Sequence, residues 1–372
     1  MEGNPKETLA DSLAQKGISR RDFLKFCALM TGTLALPASM IPRVARALET
    51  VKRPPIIWLE LQDCAGCTES LLRANQPTVA ELVLDVLSVN YHETIMAPSG
   101  AGAEKSLRDT IAAGGYITVV EGAIPTGDNA IYCCIGGKSA EDILKEVAAN
   151  TAAIIAVGAC AFYGGWPATP IQGLGTSPTG AKGVRDIITD KPIINLPGCP
   201  YNVDNLTATV VHYLTFGLPA MDDLGRPLFA YGRRIHDNCE RRAHFDKNEF
   251  VRAWGDEGHR NGWCLYHMGC KGPVAYQNCP TIRWNGGLNW PVGAGHGCIA
   301  CAGLNFWERA AYETVPIADE DKAPPATYPE VEQPDKGISP AGAGLIGAAA
   351  GLAVGVAGAV AVRQLTKNES ES

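Results

Sequence analysis

The chain has 372 residues, a formal net charge of −7 and thirteen cysteines. That length is sufficient for two domains with apolar cores, so the fold does not need disulfide bonds for its stability. An acidic chain without a basic stripe is a poor ligand for nucleic acid, which we therefore exclude as a partner.

The first 47 residues predict an export leader. Residues 19–25 read Ser-Arg-Arg-Asp-Phe-Leu-Lys, a twin-arginine signature, and an apolar stretch follows over residues 26–41. Residues 45–47, Ala-Arg-Ala, offer a cleavage site that would leave Leu48 at the start of the mature chain. An ordinary secretory signal or an amphipathic helix is the alternative. Because the twin-arginine route moves folded proteins, this leader indicates a cofactor that is inserted in the cytoplasm before export.

Residues 48–217 alternate strand and helix patterns. Apolar runs predict strands at residues 56–61, 82–89, 116–120, 153–157 and 192–196. Helices are predicted at residues 68–74, with Thr68 as a possible cap, 140–149 and 205–216. Such alternation predicts an α/β fold, with a parallel sheet that has helices on both faces.

Three cysteines directly follow predicted strands of this first domain. Cys64 follows the first strand, Cys160 the fourth and Cys199 the fifth, and ligands bind at the carboxyl ends of strands in such sheets. Cys67 is three residues beyond Cys64, so both can reach one metal group. Four thiolates at one sheet edge would suit a [4Fe–4S] cluster, and a structural zinc ion is the alternative. The loop after the first strand has no Gly-rich phosphate fingerprint, which argues against a nucleotide.

Residues 218–315 have little periodicity and are rich in Gly, Trp, Asn and Cys. We expect an irregular domain whose structure depends on the metal groups that it surrounds. One histidine and three cysteines could hold a second [4Fe–4S] cluster: His236, Cys239, Cys264 and Cys270. Three further thiolates suit a [3Fe–4S] cluster: Cys279, Cys298 and Cys301. Pro291 stands where a fourth ligand would come, and it cannot ligate. With no Ser/His/Asp pattern and no HExxH motif, the sequence indicates an electron relay rather than a catalytic site.

The last part of the chain predicts a membrane anchor. A Pro-rich, polar linker over residues 316–340 precedes residues 341–362, which carry no charge and are long enough to cross a bilayer as a helix. Arg363 and Lys367 in the tail, residues 363–372, favour the cytoplasmic side. A buried apolar helix is the alternative. With an exported N-terminus, this pattern predicts a globular part outside the cytoplasm and a short tail inside.

Taken together, these motifs resemble the small subunit of membrane-bound respiratory uptake [NiFe] hydrogenases of bacteria. The resemblance covers essentially the whole chain and rests on Asp63-Cys-Ala-Gly-Cys-Thr-Glu-Ser70, Gly158-Ala-Cys160, Pro197-Gly-Cys-Pro200, Arg234-Ile-His-Asp-Asn-Cys239, Gly269-Cys-Lys-Gly-Pro273 and Gly295-His-Gly-Cys-Ile-Ala-Cys301. It implies a flavodoxin-like N-terminal domain and a separate large subunit, whose nickel–iron site splits H₂ into protons and electrons. The chain alone would not be catalytic.

The resemblance also implies the order of an electron relay. Cys64, Cys67, Cys160 and Cys199 would hold a proximal [4Fe–4S] cluster, and Cys279, Cys298 and Cys301 a medial [3Fe–4S] cluster. A distal [4Fe–4S] cluster would be held by Cys239, Cys264, Cys270 and a ring nitrogen of His236. Electrons would then reach quinone through a membrane cytochrome b or an iron–sulfur partner. The family suggests paired heterodimers at the periplasmic face of the inner membrane, with a large subunit that is exported together with this one.

Two positions depart from patterns in the family. Oxygen-tolerant members place extra cysteines beside the proximal cluster, and Gly66 stands at one of those positions, with Cys133 or Cys134 as the candidate for the other. We therefore predict an ordinary proximal cubane and an oxygen-sensitive enzyme. Asp63 stands where the family usually has Glu. For Glu93 and the two vicinal cysteines we expect structural roles.

Two other classes of protein stay open at this point. An electron-transfer subunit of another exported oxidoreductase, such as a formate dehydrogenase, would have ferredoxin-type cysteine runs, and the run C-x₂-C-x₂-C-x₃-C-P is absent from the sequence. A non-enzymatic metal protein would hold zinc. A His-plus-three-Cys group beside a group of three cysteines does not suit a pure zinc array.

Overall fold

The computed structural model describes residues 19–50, 54–75, 88–171, 175–306 and 312. Its helices are α1 (Arg20–Thr33), α2 (Ile41–Thr50), α3 (Gly66–Leu72), α4 (Ala101–Ala113), α5 (Ala140–Ala148), α6 (Gly158–Tyr163), α7 (Val184–Ile187), α8 (Val203–Phe216), α9 (Leu228–Tyr231), α10 (Arg242–Asp246), α11 (Glu257–Arg260) and α12 (Cys279–Ile282). Its strands are β1 (Pro55–Glu60), β2 (Ser88–His92), β3 (Ile117–Glu121), β4 (Ile124–Pro125), β5 (Cys134–Ile135), β6 (Lys138–Ser139), β7 (Ala153–Val157), β8 (Ala181–Lys182) and β9 (Ile193–Leu196).

Five strands form one parallel sheet in the order β2-β1-β3-β7-β9. Counted among these five alone, the order is 2-1-3-4-5, which is that of flavodoxin-like, doubly wound sheets. The four short strands form two antiparallel pairs, β4 with β8 and β5 with β6. The predicted α/β fold with a parallel sheet is confirmed.

Both faces of this sheet are buried, because side chains of alternate residues point to opposite faces. Trp58 belongs to one apolar cluster, which includes Leu206 of α8. Leu59 belongs to the opposite cluster, which includes Leu107 of α4 and Leu144 of α5. Each fully buried side chain of this size contributes about 1.5–3 kcal/mol through its burial. The sheet therefore has a continuous core on each side.

Two predicted elements need correction. The helix predicted at residues 68–74 begins at Gly66 instead, because Ala65 has a left-handed conformation (φ 58°) and starts the helix two residues earlier. Thr68 is consequently inside the helix and is not its cap. The strand predicted at residues 82–89 is observed as β2, Ser88–His92, and residues 76–87 lie outside the described residues. Polar side chains within β2 hid its full extent from a search for apolar runs.

Residues 218–306, the predicted second domain, have little regular structure. Its α-helices are only four or five residues long, and isolated bridges such as Phe250 with Cys264 take the place of a sheet. Asn278, next to α12, exchanges two hydrogen bonds with Asn205 of α8, at 3.0 and 2.9 Å. Asn202 also donates to the carbonyl of Arg283 at 2.6 Å. Polar contacts therefore join this domain to the helix that covers the sheet.

The described part of the predicted leader forms a hairpin of α1 and α2 that packs on α8. Ser19 caps α1 by accepting a hydrogen bond from the amide of Asp22 at 3.2 Å. One apolar cluster joins the hairpin to α8, and its buried members are Phe23, Cys27, Met30, Leu34, Val44, Ala45, Leu48, Ala208 and Val211.

Among the residues described, none of the helices has both the length and the apolar character needed to cross a membrane. The predicted linker (316–340), membrane helix (341–362) and tail (363–372) lie outside the described residues.

Candidate metal centres

The four predicted proximal ligands meet at the carboxyl edge of the sheet. Cys64 lies in the loop after β1, Cys67 in α3, Cys160 in α6 directly after β7, and Cys199 after β9. Burial and then Glu121 raise the pKa of the Cys67 thiol most, and its neighbours Cys160 and Cys199 raise it further. Burial raises the pKa of Cys160 to about 12 and that of Cys199 to about 11, and Cys64 contributes to both shifts. Each of the four thiols thus lies close enough to others of the group for one to affect the pKa of another.

Glycine is required where the backbone closes around these sulfur atoms. Gly158 has φ +83°, and a Cβ placed there would lie 2.5 Å from the Cys67 Sγ. Only a residue without a side chain allows this approach in a left-handed conformation. A Cβ at Gly66 would lie 3.1 Å from the Cys64 Sγ, so this position directly borders the thiols, as the sequence predicted.

A buried carboxylate, missed in the sequence, orients the loop of Cys67. Glu121 ends β3 and is 1% exposed. Its Oε1 accepts from the amides of Cys67 at 2.9 Å and Thr68 at 3.1 Å, while its Oε2 accepts from the Thr68 hydroxyl at 2.7 Å and Trp58 Nε1 at 3.2 Å. Burial raises its pKa in spite of these bonds. A charged residue at the end of a buried strand was the signal that could have revealed it.

Glu60 continues this polar network away from the cysteines. Its carboxylate lies 2.9 Å from the Thr68 hydroxyl oxygen, whose single proton it shares with Glu121, and 3.4 Å from His92 Nδ1. Burial would raise its pKa, but hydrogen bonds from His92 and Thr94 lower it below the ordinary value. Carboxylate oxygens of Glu60, Glu121 and Asp63 lie within 4.8 Å of one another.

Asp63, Glu93 and Cys133 lie near the same network. Burial raises the pKa of Asp63, and burial raises that of Glu93 to about 8. Glu93 accepts from the amide of Glu60 at 3.0 Å. Cys133 is half-buried beside Asp63 and Glu93, whereas Cys134 is exposed in β5. Glu93 and Cys133 are thus partly buried, in agreement with the structural roles that we expected for them.

The three predicted medial ligands also converge, within the irregular domain. Cys279 opens α12, and Cys298 and Cys301 lie in the loop that follows Pro291. Burial and then Cys301 raise the pKa of Cys279 to about 12. Burial raises the pKa of Cys298 well above its ordinary value, and the neighbouring thiols of Cys270, Cys301 and Cys279 add to the rise. The Ala300 amide donates to the Cys298 Sγ at 3.3 Å.

The four predicted distal ligands line one small cavity, together with apolar side chains such as Leu265 and Val292. The ligands are His236, Cys239, Cys264 and Cys270. Burial, followed by the charge of Arg242, lowers the pKa of His236 to about 4. At neutral pH this ring is therefore a neutral imidazole, the form that ligates metals. The Arg241 amide donates to the Cys239 Sγ at 3.4 Å.

Neighbouring groups are joined by main-chain contacts. The amide of Cys298, in the medial group, donates to the Sγ of Cys270, in the distal group, at 3.3 Å. The main chain of Cys199 hydrogen-bonds to the thiol of Cys301. This bond lowers the pKa of Cys301, whereas burial raises it. The three predicted ligand groups therefore adjoin one another in series.

These residues fit iron–sulfur clusters. All thirteen cysteines lie in the described ranges, and each of them has a free thiol. Buried thiolates that accept main-chain N–H bonds are the ligands that hold such clusters, and the amides tune the cluster potentials. The raised thiol pKa values describe the protein without iron, whose positive charge would favour the thiolate forms.

Two family models match the chain. Residues 231–313 match the model that describes the C-terminal part of the NiFe/NiFeSe hydrogenase small subunit. Residues 64–213 match the model described as NADH ubiquinone oxidoreductase, 20 Kd subunit. The boundary between them falls between the sheet and the irregular domain.

Similar proteins point to the same family. The Hydrogenase-2 small chain of Escherichia coli strain K12 is 43% identical over 363 residues, 95% of each chain. The quinone-reactive Ni/Fe-hydrogenase small chain of Wolinella succinogenes is 44% identical over 312 residues, 82% of this chain and 86% of that one. The reduced, active Ni-Fe-Se hydrogenase of Desulfomicrobium baculatum superposes with a TM-score of 0.66 at 35% identity, over 71% of this chain and 100% of that one.

The fold, the cysteine groups and the similar proteins together define the class of this chain. It is an iron–sulfur, electron-transferring subunit of an oxidoreductase. The chain belongs to the family of [NiFe] hydrogenase small subunits. It is therefore the electron-relaying partner of a large subunit in a hydrogenase heterodimer.

Proposed function

We propose that this chain serves a membrane-bound uptake hydrogenase. Electrons released from H₂ at the nickel–iron site of the large subunit pass through this subunit to a membrane partner and the quinone pool. The observation that carries the proposal is the series of three adjoining ligand groups, linked by Cys199 with Cys301 and by Cys298 with Cys270. Such a series of adjoining groups suits the transfer of electrons from one group to the next.

The proposed clusters follow the donor sets. The proximal [4Fe–4S] cluster binds to the thiolates of Cys64, Cys67, Cys160 and Cys199. The medial [3Fe–4S] cluster binds to Cys279, Cys298 and Cys301, a set of three thiolates. The distal [4Fe–4S] cluster binds to His236, Cys239, Cys264 and Cys270. Clusters supply one-electron redox chemistry when bound, and the protein fixes their spacing and surroundings.

An apolar surface beside the proximal group is the proposed contact with the large subunit. Trp166, 40% exposed, stacks on Tyr312, 65% exposed, with ring centroids 6.1 Å apart. The side chain of Trp166 also hydrogen-bonds Cys199. Ile131 and Tyr132 are exposed next to the vicinal cysteines. Exposed aromatic side chains are enriched in the cores of protein interfaces, and here they adjoin the ligands that receive electrons first.

The proposed location is the periplasmic face of the bacterial inner membrane. The twin-arginine leader supports export, and the uncharged residues 341–362 with Arg363 and Lys367 support a single C-terminal anchor. The name of the Wolinella relative states that it is quinone-reactive. We propose a membrane cytochrome b or an iron–sulfur protein as the electron acceptor, and a dimer of heterodimers as the assembly.

Gly66 and its contact with Cys64 lead to a proposal about oxygen. A cubane of ordinary ligation has no additional sulfur donor at this position, so we propose an oxygen-sensitive enzyme. Sustained H₂ oxidation in air by the purified complex would contradict this.

The whole proposal is tested by metal analysis and low-temperature EPR of the complex that co-purifies with this chain. About 11 irons per chain, a [3Fe–4S] signal on oxidation, and nickel in a larger partner are expected. Zinc without iron would instead indicate a structural metal protein. Iron with a nickel-free partner would indicate a subunit of a different exported oxidoreductase.

A further inference from the structure

The hairpin of α1 and α2 occupies a binding site on α8. Ala208 and Val211 of α8 are both buried, and they share one apolar cluster with Cys27 and Met30 of α1. Neither Cys27 nor Met30 has any exposed surface. In a chain that is exported and cleaved after Ala47, as proposed above, this hairpin is the leader bound to the domain that it accompanies.

Polar contacts fix the hairpin in place. The guanidinium of Arg43, in α2, lies 5.0 Å from the centre of the Phe216 ring at the end of α8, a cation–π contact. Arg20 Nη2 lies 3.7 Å from the Glu49 carboxylate, which connects the start of α1 to the end of α2. The hairpin is therefore closed on itself and also attached to α8.

The binding site exists only in the folded domain. Leu206 and Val210 of α8 pack into the core of the sheet, while Ala208 and Val211 face the hairpin. An unfolded domain would not present the two buried residues on one rigid face. Binding of the hairpin therefore depends on the packing of α8 against the sheet.

The docked hairpin exposes the arginine pair and buries one face of the apolar stretch as well as part of the cleavage site. The arginine pair is outside, since the Arg20 side chain is 81% exposed and Arg21 is also exposed. The apolar stretch that follows contributes the buried face of α1. The bond between Ala47 and Leu48 lies within α2, and Leu48 has no exposed surface. A peptidase that binds its substrate as an extended chain cannot reach this bond until α2 unwinds.

We propose that α8 is an intramolecular docking site for the leader, which stays bound in the folded precursor. In this state the arginine pair is available to an export receptor, and the buried face of the apolar stretch and the cleavage site are withheld. Release of the hairpin from α8 is then a required step before insertion and cleavage. The accessibility of the leader thereby depends on whether the domain is folded.

Two neighbouring substitutions in α1 distinguish the effect of lost docking from the effect of a less apolar leader. Met30→Asp places a carboxylate in the buried cluster, whereas Leu29→Asp places it at a position that is 42% exposed. Both variants remove one large apolar residue from the same leader and add the same charge. Ala208→Asp makes the corresponding change on the α8 side of the contact. Export recognition is altered equally in the two leader variants, so a difference between them measures docking.

Cys27, in α1, provides the readout, because its side chain is buried in the cluster that joins the hairpin to α8. The full-length precursor, purified with its large subunit from cells that lack the twin-arginine translocase, is treated with a thiol-alkylating reagent, and peptide mass spectrometry follows Cys27. Burial raises the pKa of its thiol to about 12, which also slows labelling in the docked state. We expect labelling in Met30→Asp and Ala208→Asp to be faster than in the wild type by about tenfold or more. Leu29→Asp should resemble the wild type.

Cleavage by purified leader peptidase in detergent is the second measurement. Met30→Asp is expected to be cleaved faster than the wild type and Leu29→Asp. Equal, rapid labelling of Cys27 in all chains would overturn the docking proposal while leaving export untouched. If no chain is cleaved, the proposed leader function fails instead, and the labelling result still decides whether the hairpin is docked.

Discussion

The sheet domain and the irregular domain build metal centres in opposite ways. In residues 54–217, parallel strands hydrogen-bond to one another, and ligands such as Cys160 and Cys199 are placed where strands end. In residues 218–306, the ligands are themselves part of the core, since Cys270, Cys279 and Cys298 belong to one buried cluster. The first domain thus places its predicted ligands at the ends of strands, whereas the second buries its predicted ligands within its own core.

Removal of iron is expected to separate the two domains most clearly. Without clusters, residues 231–301 lose the groups around which their short helices are arranged, while the hydrogen-bonded ladder of β1, β3, β7 and β9 persists. Hydrogen exchange with mass spectrometry, before and after chelation under reducing conditions, should show protection lost across 231–301 and retained in the strands. Equal loss in both regions would contradict the comparison, and reconstitution with iron and sulfide is the control.

Gly158→Ala tests the sheet domain at the position where its backbone lies very close to the Cys67 sulfur. A methyl group at φ +83° and 2.5 Å from the Cys67 Sγ forces the loop away from the proximal thiols. We expect loss of one cubane, seen as a fall of about four irons per chain with the [3Fe–4S] EPR signal retained. Gly217→Ala is the matched control, because Gly217 has the same φ of +83° and no atom within 4 Å of its Cβ position. If both variants keep full iron, the close approach is not essential.

Gly297→Ala tests the junction within the irregular domain. A Cβ at this position would lie 2.9 Å from the Cα of Cys270, next to the hydrogen bond from Cys298 to that residue. Overpacking of this kind costs about 1–3 kcal/mol and should lengthen the N–H···S bond. The midpoint potential of the distal cluster is then expected to fall, measured by EPR-monitored redox titration. Gly272→Ala, whose Cβ makes only an ordinary 3.5 Å contact with the Cys270 Sγ, should leave the potential unchanged.

Glu93→Gln should have the smallest effect, limited to the sheet domain. The folded protein keeps the Glu93 proton up to a pKa of about 8, while the unfolded chain releases it near the ordinary value of 4.5. The free energy of unfolding should therefore fall as the pH rises from 4.5 to 8, by about 1 kcal/mol per pH unit. Thermal unfolding between pH 5 and 8 should show a shallower decline in the variant. An unchanged slope would contradict a buried, protonated Glu93.

The regular part of the molecule was the more predictable part. Four of the five main strands were found from apolar runs, because strands buried on both faces read as continuous apolar segments. Most of β2 was missed because His92 and its neighbours are polar, so they do not form an apolar run. Their contacts are with residues distant in the sequence, for example the stacking of the His92 ring on Trp58. No local pattern contains such long-range pairing.

The cysteine groups were predictable by spacing and resemblance, but their surroundings were not. The contacts of Glu121 with Cys67 and Thr68 join residues more than 50 positions apart. The contact between Cys298 and Cys270 depends on the closeness of two loops with no periodic pattern. Physical periodicity specifies which residues face a core, and it does not specify how irregular loops pack against each other.

The paired amides of Asn205 and Asn278 have a consequence for protein engineering. Each amide donates to the other across the boundary between the two family models, and α8 holds one member of the pair. A transplant of residues 218–306 onto another flavodoxin-like scaffold would leave Asn278 without its counterpart, directly beside Cys279. A chimera must therefore carry the polar edge of α8 with it, and the useful unit of exchange is larger than either domain.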